Sequence, residues 1–181
     1  MSYKGWSFIA VLLFGIGLAL GLATPPSIAA LMSENIAFLE KLSRILTPFS
    51  VFTVIFIFIK NASALVLSFV FSPILCLAPI LSLTANGWLL AFISSTVAQE
   101  KSLGFVLAGL LPHGIFELPA LIIGQAAALS FGTMAILALF RKRRSLLLPS
   151  LRQNLRYLLL ALGLLLPAAI IETYITPLLI T

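Results

Sequence analysis

Aspartate is absent from the chain, and only five glutamates stand against eleven lysines and arginines. Charged residues make up 9% of the 181, against roughly 25% in an ordinary soluble domain. The single cysteine, Cys76, excludes an internal disulfide and says little about redox compartment. There is one histidine, His113. No Gly-x-x-x-x-Gly-Lys loop occurs, which excludes nucleotide binding of that kind. Ser94, Ser95 and Ser102 have no base at a recognisable spacing, which sets a serine hydrolase aside.

What fills the chain instead is apolar. Hydrophobic residues make up 61%, and the mean hydropathy is +1.20. A compact soluble domain of this size has no interior large enough for that surface. The composition predicts an all-α fold, a polytopic transmembrane helical bundle surrounded by membrane lipids. No polar stretch is long enough for a soluble domain, so residues 1–181 read as a single integral membrane domain. Arg141-Lys142-Arg143-Arg144 is a basic run. In so apolar a chain it reads as part of a cytoplasmic loop over 141–154 that follows the positive-inside bias, not as a nucleic-acid patch.

The apolar runs are uneven. Trp6 to Ala23 is longer than a signal-peptide core and is expected to be an uncleaved first span with its N-terminus inside. Residues 28–46 place Leu31, Met32, Ile36, Leu39 and Leu42 at helical spacing, with charges on other faces. They predict an amphipathic helix on the outer surface. Thr47-Pro48 reads as an N-cap and first helical residue. Phe49 to Ile59 reads as a short inward element closed by Lys60-Asn61, and Ala62 to Thr84 as a span. A break is expected at Ala85-Asn86-Gly87-Trp88. Segments 89–98 and 103–111 are short, the second ending before Pro112. Pro119 is expected to open a helix running to Phe140. Residues 145–153 read as lying along the cytoplasmic face, and Leu155 to Ile175 as the last span with Pro167 inside it. The count is seven crossings if both short segments cross and five if they are a re-entrant pair. Both counts are odd and leave the C-terminus outside.

Polar groups within spans are costly and usually face the bundle interior. With Lys60 and Arg141 as inner-edge markers, Asn86, Glu117 and Glu172 fall at similar height in the outer half, with His113 nearby. There is also an internal echo. LLPHGIFE (110–117) and LLPAAIIE (165–172) share Leu-Leu-Pro, and each ends in a glutamate five residues past the proline. A helical turn puts His113 and Glu117 on one face. A break at Pro112-His113-Gly114 instead makes Glu117 a helix cap. Four readings of this cluster compete: an interhelical polar lock, a proton or ion site, a docking surface for another protein, and an intramembrane metal enzyme. Nothing matches His-Glu-x-x-His. No catalytic residue, cofactor or metal ligand is therefore assigned. The small residues at 104–109 and 124–128 read as close helix packing.

The stretch Pro112-His113-Gly114-Ile115-Phe116-Glu117-Leu118-Pro119-Ala120, with Asn61, Asn86-Gly87 and Ile171-Glu172, resembles the stage II sporulation protein M family over about residues 45–177. The chain departs from that pattern at Lys60, Gln125 and Ser130. The resemblance implies a polytopic membrane protein. In spore formers the namesake works with cell-wall hydrolases during engulfment, which implies an anchoring or positioning role, but no established catalytic residues to carry over. The expected function is a non-enzymatic scaffold with protein partners, and self-association is among the options. A transporter or permease-like subunit is the main alternative, and an intramembrane metallo-hydrolase a lesser one. Asn86, His113, Glu117 and Glu172 are the expected functional residues. Asn61, Gly87, Gly114 and Pro119 carry weaker expectations.

Overall fold

The computed structural model describes residues 2–25, 47–140 and 144–180. Among them, every long element is helical. The elements are α1 (Tyr3–Leu22), α2 (Val51–Phe71), α3 (Leu77–Glu100), α4 (Leu103–Phe140), a 3-10 turn (Arg144–Leu146), α5 (Leu147–Tyr174) and the four-residue α6 (Thr176–Leu179). The five helices α1 to α5 are long and apolar enough to cross a membrane. The all-α, multi-span class is thus the observed one. The amphipathic segment 28–46 and residues 141–143 of the basic run lie outside the described residues.

Several boundaries differ from the sequence reading. Lys60-Asn61 does not close an element; it lies in the middle of α2. The chain turns instead at Ser72–Cys76, where Leu75 and Cys76 take positive φ values of 51° and 56°. That turn has no charged residue to announce it. Residues 85–88 are not a break, and 89–98 is the second half of the continuous α3. Residues 103–111 are the start of α4, which runs on through Pro112 and Pro119. Each proline removes one backbone donor. In an apolar solvent the helix still satisfies more backbone groups than any break would, and neighbouring helices support it. Pro119 is therefore an interior helical residue, not a helix start. At the other two junctions, Thr47-Pro48 precedes a helix that opens at Val51, and residues 147–153 are the first turns of α5.

Helix directions follow from the contacts. Gly17 abuts Thr84, and Gly21 abuts Trp88 and Ala91, so α1 and α3 run parallel. Asn61 meets Glu117 and Ser68 meets Gln125, so α2 and α4 run parallel. Gly124 meets Ala161 and His113 meets Thr176, so α4 and α5 form an antiparallel hairpin. One end of the bundle carries the Ser72–Cys76 turn and the basic loop, and is called the basic end. The other carries Leu22, Val51, Glu100 and Tyr174.

Packing relies on small residues, as expected where lipid removes the hydrophobic drive between helices. Gly124, Ala126, Ala127, Ala128 and Gly132 are small residues buried on several faces of α4. Gly17-x-x-x-Gly21 on α1 and Gly87 on α3 let those two backbones touch. Larger side chains then close the core: Leu65 and Phe69 of α2 and Leu158 and Leu165 of α5 pack against Ala120, Ala127 and Ala128. Tyr3 anchors the start of α1. It donates to the Ile123 carbonyl at 2.8 Å and stacks on Tyr157 at 3.5 Å between centroids.

Candidate functional site

Because α4 is unbroken, His113 and Glu117 lie one turn apart on one face. His113 Nε2 faces Glu117 Oε2 at 3.8 Å. The same face looks toward the end of α5, and Glu172 projects from there. One ligand-type atom from each of His113, Glu117 and Glu172 lies within 4.8 Å of the other two. The echo in the sequence therefore has a spatial meaning. Its two glutamates, one on each arm of the α4–α5 hairpin, meet at one place.

Neighbours orient these groups. Asn61 of α2 donates Nδ2 to Glu117 Oε1 at 3.1 Å. Thr176 of α6 holds His113 Nδ1 at 3.3 Å. The backbone N–H of Phe49 donates to the Thr173 carbonyl at 3.2 Å and ties the entry of α2 to the end of α5. Lys60, one residue before Asn61, is exposed and acts electrostatically on Glu172. Only 12% of the His113 side chain and 32% of that of Glu117 are exposed, so the cluster is largely withdrawn from the surface.

Asn86 lies close by without a hydrogen bond to the cluster. Its Nδ2 donates to the Ser82 carbonyl of its own helix at 2.7 Å. With Glu117 it lines two small cavities, of about 80 and 40 Å³, that flank Leu121. It also borders a groove of about 410 Å³ between α3 and α4, which Lys60, Leu90, Phe105 and Ile180 help to line. Gly114 borders the larger of the two small cavities. Gly87 lies where α3 touches α1. Pro119 is exposed and stands apart from the polar atoms.

Asn86, Glu117, Glu172 and His113, expected at one height, lie near one another. One of the markers of that height was wrong, because Lys60 is at the cluster and not at an edge. Asn61 was visible only through the family resemblance, since a polar pair between apolar runs reads as a loop. Thr176 gave no signal. A second network was also unread. Gln125, fully buried, accepts from Ser68 of α2 and donates to Ser82 of α3 at 2.7 Å. No metal ligand was assigned from sequence, yet the fold gathers an imidazole and two carboxylates at ligand-like separation.

Comparison with known proteins gives one family and one distant relative. The family model described as stage II sporulation protein M matches residues 9–177, which extends the likeness through most of α1. A protein of Methanocaldococcus jannaschii described as uncharacterized is 30% identical over 103 residues, covering 56% of this chain and 58% of its own length. The chain thus spans a little over half of that relative. No solved structure matches. With the family pattern covering most of α1, all of α2 to α5 and the residues of the polar cluster, the chain belongs to the stage II sporulation protein M family.

Proposed function

We propose that the chain is a membrane scaffold, an anchor that presents the end of the bundle opposite the basic loop to partner proteins. The observation that supports it most is the way polar contacts tie that half of the bundle, from the middle of α2 to the ends of α5 and α6, into one unit. Asn61 of α2 holds Glu117 of α4, Thr176 of α6 holds His113 of α4, and Phe49 is bonded to Thr173 of α5. Fixed helix ends make a surface whose shape is set before a partner arrives, which lowers the ordering cost of binding. Lys4, Arg144, Arg152 and Arg156 all belong to the basic end. By the positive-inside bias that end is cytoplasmic, and the polar cluster sits toward the outside.

Co-purification from native membranes tests this reading. The natural chain is expected to bring down a defined partner or a second copy of itself. Glu117→Ala is expected to reduce that recovery at least several-fold while the protein stays folded and monodisperse. Native complexes that survive unchanged in Glu117→Ala would contradict the scaffold reading. A transport reading is favoured by a different observation, the groove and small cavities that lead past Asn86 to Glu117. Ion-dependent flux in liposomes that is lost in Glu117→Gln would turn the assignment that way.

A further inference from the structure

We propose that His113, Glu117 and Glu172 form a binding site for a divalent first-row cation, of which Zn²⁺ is the type, joining α4 to α5. The argument rests on the cluster's geometry and is independent of the scaffold reading. Imidazole nitrogen and carboxylate oxygen are the ligand types such ions take in mixed sites. A tetrahedral site with bonds of about 2.0–2.1 Å holds its ligand atoms roughly 3.3 Å apart. The three here are within 4.8 Å, so modest rotation of the two glutamate side chains closes the set.

Two further features point to a cation. The first is the direction in which the ligands are held. Asn61 occupies Glu117 Oε1 and leaves Oε2 facing His113. Thr176 occupies His113 Nδ1 and leaves Nε2 facing Glu117. Outer partners that fix the far atom of a ligand and aim the near one are the usual supports of metal sites. The second is Glu172. Among the described residues no donor hydrogen-bonds its carboxylate and no ion pair neutralises it, although it sits on a membrane-spanning helix beside a second carboxylate. Among the described residues Lys60 is the one cation acting on it, and Lys60 is exposed toward the groove. Unneutralised charge at such a place is costly. A bound cation compensates both carboxylates at once and leaves a fourth position for water or for a group from a partner.

The test uses the full chain, purified with an affinity tag free of histidine, incubated with ZnCl₂, desalted and analysed for metal. Mn²⁺ and Fe²⁺ are run beside it. About one ion per chain is expected, together with a raised melting midpoint, because a ligand that binds only the folded state stabilises it. Glu172→Gln and His113→Ala are each expected to lower the retained ion at least tenfold. Asn61→Ala is expected to keep the stoichiometry at saturation but weaken affinity by about 10–100-fold, as loss of an outer partner does. That split would not arise from a merely structural role. A natural chain that melts cooperatively yet retains none of the three ions, with an unmoved midpoint, overturns the proposal and leaves a proton as the shared group. Equal retention by Glu172→Gln also overturns it, because the ion is then elsewhere. Should the variants misfold, the natural chain's metal content and midpoint decide alone.

Discussion

Gly87→Val is expected to force α1 away from α3 and to abolish recovery of folded protein. A Cβ built at Gly87 runs into the Phe14 carbonyl oxygen, lies 3.0 Å from the Leu18 nitrogen and 3.2 Å from the Gly17 Cα. These are backbone atoms, which no rotamer change moves aside. The same closeness is seen from the other side, where Gly17 meets the Thr84 carbonyl and Gly21 the Trp88 carbonyl. Overpacking inside a core commonly costs about 1–3 kcal/mol and more where backbone must shift. Here two parallel helices would have to part along their contact, so the upper end or beyond is expected. Gly15→Val is the control: a Cβ there meets nothing within 4 Å. Detergent extraction with a thermal melt reads both. A Gly87→Val variant that melts with the natural chain would mean that α1 and α3 do not pack as described.

Gln125→Ala is the second large effect expected, at about 2–4 kcal/mol. The side chain is completely buried and bridges Ser68 of α2 and Ser82 of α3 from the middle of α4. Interhelical hydrogen bonds in membranes average about 0.6 kcal/mol and reach about 1.7, so two of them supply about 1.2 to 3.4 kcal/mol of that loss. The cavity left by the missing carboxamide and the Cγ methylene supplies the rest. Both serines can turn to carbonyls of their own helices, which keeps the figure below the full cost of two stranded hydroxyls. Gln153→Ala, on the exposed face of α5, is expected to change little. Equal melting of the two variants would contradict the three-helix bridge.

Much of the fold can be read from residue order, and the failures share one cause. α1 was read to within a few residues because its run is uniform and closed by Pro25-Pro26. The α2–α3 turn was missed because its residues, Ser72 to Cys76, are no more polar than the spans beside them. The boundary was instead laid at Lys60-Asn61, where polarity is present for a tertiary reason: Asn61 is the partner of Glu117. Pro112 and Pro119 misled in the same way. Their local preference is to end a helix, but a broken backbone in lipid strands more donors than a proline removes. Local signals thus failed where side chains answer to other helices. The cluster itself was legible because its members are rare: one histidine and two glutamates with a shared Leu-Leu-Pro context stand out in a chain with no aspartate. What periodicity and spacing do not show is the company they keep: Thr176 gives no signal, and Asn61 is marked by the family resemblance alone.

The account depends on five crossings, with the polar cluster toward the outside and the basic loop within. Single cysteines at Ser102 and Ser145, labelled in intact cells with a membrane-impermeant maleimide, test this directly. Both positions are exposed, and the native Cys76 is buried and expected to be silent. The account predicts that Ser102→Cys is labelled in intact cells, and that Ser145→Cys is labelled only after the membrane is opened. Labelling of Ser145→Cys in intact cells would invert the topology and move the cluster to the cytoplasmic side. Protection of both would mean that segments 89–98 and 103–111 cross separately, which the continuous α3 and α4 do not allow.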